Sequence, residues 1–249
     1  MSQYRIIPSK PVLVLEGNEK SIVITDTHIG FESSLASNEI FIGRNSSINE
    51  TINEITEIIE TEKPDSVILL GDIKSSIKTI SKNEWDEVPL FLNEIKKKCH
   101  VVLIPGNHDA NIARLVPDGI SMISSTGMVQ ENILLTHGHT MPSENFSHVD
   151  RIIMGHVHPV FFDEESVLNG QRVWVSLMTD KENIFPNKSG EIEITIVPSF
   201  NKYFYATHKK KYKKSISPII EKIKNVSSAR IVTLDGMIIG NESLIDQVL

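Results

Sequence analysis

Five short apolar runs in this chain each end on side chains that can ligate a cation, and few folds accommodate that arrangement. The central run is Val101-Val102-Leu103-Ile104, which passes through Pro105-Gly106 into Asn107-His108-Asp109. Ile22-Val23-Ile24 likewise precedes Asp26-Thr27-His28, and Val67-Ile68-Leu69-Leu70 precedes Gly71-Asp72. Ile133-Leu134-Leu135 leads to His137-Gly138-His139, and Ile152-Ile153-Met154 to Gly155-His156-Val157-His158. A run that is apolar at every position reads as a strand buried on both faces. Open α/β sheets place their ligands beyond the carboxyl ends of such strands. If the five strands are neighbours, their polar side chains converge on one rim.

The intervening segments carry helix signals. Ile48, Ile52, Ile55 and Ile59 fall on one helical face, Ser47 with Glu50 forms a capping box, and Pro64 ends the helix. Ser81-Lys82-Asn83-Glu84 opens a second helix through Trp85, Val88, Leu92 and Ile95, with Pro89 expected in its first turn. Strand, helix, strand, helix, strand implies βαβ units with right-handed crossovers. Residues 1–20 read as a lead-in hairpin, with a strand at Pro11–Leu15. Beyond Pro159 the period changes: Val173, Val175 and Leu177 alternate with Arg172, Trp174 and Ser176, and Ile192, Ile194 and Ile196 with Glu191, Glu193 and Thr195. This predicts antiparallel strands with one face on the core and one in water, hence a second sheet. Asp235-Gly236, between Ile231–Leu234 and Met237–Ile239, predicts a closing hairpin.

Composition narrows the setting. Hydrophobic residues make up 40% and charged residues 23% of 249, as in globular proteins. The one cysteine, Cys99, excludes an internal disulfide and suits a reducing compartment. No apolar run reaches the roughly 20 residues of a membrane helix, and the first residues lack the apolar core of a signal peptide, so a cytoplasmic location is expected. A net charge of −7 disfavours general attraction to nucleic acid. The exception is Lys209-Lys210-Lys211-Tyr212-Lys213-Lys214, which offers phosphate contacts around a stacking ring or, more simply, a solvated connection.

Imidazole, carboxylate and amide donors without thiolate suit Mn²⁺, Fe²⁺, Zn²⁺ or Mg²⁺. In order, Asp-x-His, Gly-Asp, Gly-Asn-His-Asp, His and Gly-His-x-His resemble the pattern of the calcineurin-like metallophosphoesterase superfamily. The resemblance implies an α/β fold, a two-sheet β-sandwich flanked by helices, over residues 1–200. Residues 201–249 would form a C-terminal extension with the basic run, a short helix and the hairpin. It also implies two divalent ions, Mn²⁺ first among them. Asp26, His28 and His158 would hold one, Asn107, His137 and His156 the other, and Asp72 would bridge both. A hydroxide shared by the ions would attack a phosphoester. His108 would face the phosphate as an acid or charge stabiliser, and Asp109 would orient it. His139 could contact the phosphate or His108, or simply pack beside the ligands. Lys74 could bind substrate phosphate or be a solvated charge.

The first two motifs are further similar to the small SbcD-related phosphoesterases of archaea and bacteria, except that Lys74 is followed by Ser75 where relatives often carry histidine. Three functions follow: a phosphodiesterase (less readily a monoesterase), a DNA or RNA nuclease, or a non-catalytic interaction module on the same fold. Intact ligands and His108 speak against the third.

Overall fold

The computed structural model describes residues 3–32, 35, 44–203 and 217–249. The five apolar runs do form strands, but three lie in one sheet and two in another. The first sheet runs in chain order, β1 (Gln3–Ile6), β2 (Leu13–Glu16), β3 (Ser21–Ile24), β4 (Ser66–Leu70), β5 (His100–Ile104) and β6 (Ser121–Met122). Its members β3, β4 and β5 are parallel neighbours, while β1 and β2 join antiparallel in front of them. The short β1 extends the expected lead-in hairpin to three strands.

The second sheet contains β7 (Met128–Gln130), β8 (Ile133–Thr136), β9 (Arg151–Met154), β10 (Val173–Asp180), β11 (Glu191–Ile196), β12 (Ser228–Thr233) and β13 (Ile238–Gly240). Its order is β13-β12-β10-β11-β9-β8-β7, with β8 and β9 parallel. The C-terminal hairpin β12–β13 therefore adds to the edge of this sheet, pairing with β10.

Three apolar layers explain the sequence pattern. On β3, Val23 points inward and meets Leu135, Ile153 and Trp174 of the second sheet, whereas Ile22 and Ile24 point outward to the helices. Both faces of that strand are dry, so its sequence shows no alternation. The outer layer is covered by α1 (Arg44–Glu62) and α2 (Lys82–Lys96), whose Ile48, Ile52, Ile55, Ile59, Val88, Leu92 and Ile95 are buried there. On the far side, Val173, Val175, Leu177, Ile192, Ile194 and Ile196 form a second outer layer with Ile219 of α3 (Pro218–Lys222).

Three local expectations are corrected. Helix α1 already includes Arg44, so Ser47 is a buried residue within it rather than its cap. Glu50 instead accepts from Tyr203 Oη at 2.8 Å and pairs with Lys202 at 2.7 Å. Pro89 lies in the middle of α2, where it leaves the Trp85 carbonyl without its helical donor. Trp85, Asp86 and Leu90 around it are exposed, so solvent can reach that carbonyl. Finally, the second face of the alternating strands is only partly wet: Ser176, Met178, Glu191 and Glu193 keep some exposure, but Trp174 and Thr195 do not. Trp174 is buried between the sheets, and Glu193 and Thr195 face the Tyr4 hydroxyl at 2.9 and 3.0 Å. Period-two alternation thus separates two cores here, one with polar inclusions. Among the described residues, no helix is long and apolar enough to cross a membrane.

Candidate metal centre

The strands deliver their side chains through strained turns. Asp26, His28, Asp72, His156 and His158 all have positive φ, between 42° and 68°. Non-glycine residues avoid this region, at about 1–3 kcal/mol each when held there against the odds. Here it turns consecutive polar residues out of the strand line and onto the rim. The turns are held by continued pairing past the strand ends: Asp26 N donates to Gly71 O, His28 N to Asp72 O, and Ile29 N to Ile73 O, at 2.8–3.0 Å. Gly71 is required on two counts, since φ is +83° and a Cβ there would collide with the His137 ring. A Cβ on Gly106 would strike Asp72.

The rims of the two sheets are stitched together at the same place. His156 N donates to Asp26 Oδ2 at 3.2 Å, and Thr25 Oγ1 holds the same oxygen at 2.9 Å, which leaves Oδ1 directed at His158 Nε2, 2.9 Å away. After β11, Ser199 Oγ donates to Asp26 O at 3.0 Å and Asn201 Nδ2 to Thr27 O at 3.1 Å. No motif marks Ser199 or Asn201, because their work is done through backbone atoms of another segment.

Two groups of donor atoms result. Asp26, His28, Asp72 and His158 form one, Asp72, His137 and His156 the other, with the ligand atoms of each within 4.8 Å of one another. Asp72 belongs to both. Asn107 joins the second group, its Oδ1 lying 3.3 Å from His137 Nε2. Ligands at about 2.0–2.2 Å from a shared ion stand roughly 3–3.5 Å apart, close to these spacings. The hydrogen-bond chemistry also calls for a cation. His137 Nδ1 must donate to Leu70 O at 2.9 Å, so its Nε2 faces Asp72 Oδ1 and Asn107 Oδ1, both acceptors, at 3.3 Å. Either a proton on Nε2 or a metal ion has to lie among them.

Titration behaviour follows the charges. Burial alone would lower the His137 pKa, but the Asp72 and Asp26 carboxylates outweigh it and pull it up to about 9. Burial also works against ionised Asp72, yet His137, His28 and His108 hold its carboxyl well below the usual range. Asp26 is held near 2 by His158 and His137 against the same burial. Burial pushes His28 down to about 3 and, with His137 beside them, His139 and His156 to about 4. At pH 7, then, His137 carries a displaceable proton and His28 and His156 are already neutral. Metal binding is expected to release the His137 proton at pH 7, with affinity rising up to about pH 9, where His137 loses its proton unaided. Calorimetric titration in buffers of different ionisation enthalpy measures that release; a heat independent of buffer would refute it.

His108 stands beside both groups and in neither. Its ring meets the His28 ring edge-on with centroids 4.8 Å apart, and its Nε2 is 3.8 Å from Asp72 Oδ2. The expected partner of His108 is corrected: Nδ1 donates to Ser75 O, not to Asp109. The buried Asp109 carboxylate instead accepts from Gly106 N at 2.8 Å, Ile73 N at 2.9 Å and Lys74 N at 3.2 Å, tying the third motif to the second. Burial and then the charge on Asp72 raise its pKa to about 6. Lys74 is corrected on both readings, being fully buried with Nζ donating to Ser76 O and to Thr79 O at 3.0 Å. His139 packs by its ring against His137 and His156, at 5.3 and 6.1 Å between centroids, and its Nδ1 has no hydrogen-bond partner among the described residues. The Lys209–Lys214 run lies outside the described residues.

A two-sheet sandwich whose strand ends carry Asp, Asn and His around one shared carboxylate is the metallophosphoesterase type of architecture. The family model for calcineurin-like phosphoesterases matches residues 20–182, and the chain belongs to that family. Among solved structures it is similar to the nuclease MPE of Pseudomonas putida at 18% identity and a TM-score of 0.54, with 94% of this chain and 98% of that chain covered, a likeness of fold. A looser likeness is to YfcE, a phosphoesterase from E. coli, at 15% identity and a TM-score of 0.41, covering 89% of this chain and 97% of that one. No curated protein matches.

Proposed function

We propose that the protein is a dinuclear metal-dependent phosphodiesterase. The observation that carries this reading is the sharing of Asp72 between two adjoining donor groups, with His108 beside them. Asp26, His28 and His158 would hold one ion, Asn107, His137 and His156 the other, and Asp72 both. Mn²⁺ stands first on the family resemblance alone, since nitrogen and oxygen donors of this kind are equally compatible with Fe²⁺, Zn²⁺ and Mg²⁺. When bound, the pair supplies a water of lowered pKa as nucleophile and positive charge against the phosphoryl oxygens.

The chain's own residues do the rest. Asp26 and Asp72 hold fixed negative charge at the rim, and the turn at Gly71 sets the His137 ring. His108, with its Nδ1 proton committed to Ser75 O, presents Nε2 towards the rim, from which the doubly protonated ring can give its second proton to a leaving oxygen. Neutral His139 borders the second ion site. Residues 1–200 would carry the chemistry and 201–249 extend the second sheet at its edge.

A polynucleotide substrate is the second reading, supported by the fold shared with a nuclease and by the Lys209–Lys214 run. The single Cys99 agrees with a reducing, cytoplasmic setting. The test is a screen of the Mn²⁺-loaded protein against monoesters, small diesters, and single- and double-stranded polynucleotides. Hydrolysis of a small aryl diester is expected, at a rate that chelation abolishes. Cleavage of polynucleotides alone would favour the nuclease reading, and no hydrolysis at all would refute both.

A further inference from the structure

In the sequence Glu84 only closes the stretch that opens the second helix, and in the structure it caps α2: Oε2 accepts from Ser81 N at 2.6 Å, while Ser81 Oγ accepts from Glu84 N at 3.3 Å. A capping glutamate ordinarily sits in solvent. This one is completely buried, and its second oxygen, Oε1, accepts from Ser76 N at 2.7 Å. The Ser76 N–H and the Ser75 C=O belong to the same peptide group. That carbonyl is the acceptor for His108 Nδ1.

The connection is therefore a continuous line, from the Glu84 carboxylate through one planar peptide to the imidazole. A trans peptide is rigid and sets N–H and C=O on opposite sides, so gripping the one fixes the aim of the other. A charged acceptor on the N–H also polarises the carbonyl and strengthens the bond it accepts. Lys74 grips the next carbonyl, Ser76 O, together with Thr79 O, and Ser75 N donates to Ile29 O at 3.0 Å. The Glu84 stem lies against Gly30, where a Cβ would meet Cγ at 2.9 Å. The 75–81 segment is thus held by two buried charges of opposite sign.

We infer that Glu84 is a positioning residue for His108, acting through the Ser75–Ser76 peptide to tie Nδ1–H to the carbonyl and aim Nε2 at the phosphoester, so that the doubly protonated ring gives up its Nε2 proton and is left as the Nδ1–H form. The inference deepens the proposed function and rests on its reading of His108. It assigns to a remote residue the orienting role that Asp109, turned towards the backbone, does not fill.

Two readouts test it. In the Zn²⁺-loaded parent at a pH alkaline enough for the ring to be neutral, nitrogen–proton correlation spectra should show His108 in the Nδ1–H form, and in Glu84→Gln a shift towards the Nε2–H form. In kinetics, Glu84→Gln should lower kcat on a small alkyl diester, whose leaving oxygen needs the acid, by about 10- to 100-fold, the usual loss for a residue orienting a functional histidine. KM and metal content should stay near the parent's. The same change made in His108→Ala should have no further effect. An Nε2–H form in the parent, or an equal loss in both backgrounds, would overturn the assignment. The parent spectrum needs no folded variant. If the protein hydrolyses no phosphoester, the proposed function falls while the tautomer measurement still decides the orientation.

Discussion

Asp72→Ala is expected to strip both ions and to lower phosphodiester hydrolysis by about 10⁴-fold or more. Asp72 is the one side chain common to the two donor groups, with Oδ1 3.3 Å from His137 Nε2 and Oδ2 3.9 Å from His28 Nε2. Removing it takes a ligand from each site at once and leaves the histidines without the charge that balances a divalent ion. Paired ions supply several kcal/mol of transition-state stabilisation, and each 1.36 kcal/mol is tenfold in rate. Asp72 Oδ1 also accepts the His108 backbone N–H at 2.8 Å, so the alanine change loosens that turn too. Asp72→Asn separates the effects: it retains an acceptor for His108 N while removing the charge, and should lose metal as the alanine variant does. Elemental analysis after dialysis reads the result; two ions retained in either variant would rule out the shared role.

His108→Ala should behave in the opposite way, with both ions kept and turnover reduced by about 10²- to 10⁴-fold, the range for an acid–base group. His108 belongs to neither donor group, and its Nε2, 3.8 Å from Asp72 Oδ2, is beyond hydrogen-bond distance of it. If it gives a proton to the leaving oxygen, the loss should be small for nitrophenyl esters, whose leaving group needs no acid, and large for alkyl esters. Equal losses for both would mean that His108 stabilises developing charge instead. Loss of metal in this variant would remove His108 from the phosphate side of the site altogether.

The donor set was legible because each member follows directly on a buried strand, and a buried strand end has few other uses for His, Asp and Asn. The division of the strands between two sheets was not legible. Parallel neighbours β8 and β9 look the same in sequence whether they extend the first sheet or face it. Asp109 was misread because adjacency in sequence suggested contact with His108, while a tight turn sends successive side chains apart and three backbone amides capture this one. Lys74 looked like surface charge because its partners are carbonyl oxygens, which leave no mark in the sequence. Trp174 was placed on a wet face because alternation records a change of environment, here from one core to another. Glu84 was readable only as part of the stretch that opens the second helix, since its bond to Ser76 N depends on how the 75–81 segment folds back over it.

The central claim is that two divalent ions share Asp72, and anomalous diffraction from crystals grown with Mn²⁺ tests it most directly. Two peaks should flank the Asp72 carboxylate, one among Asp26, His28 and His158 and the other among Asn107, His137 and His156. A single peak, or peaks that leave Asp72 outside the coordination of either ion, would contradict it.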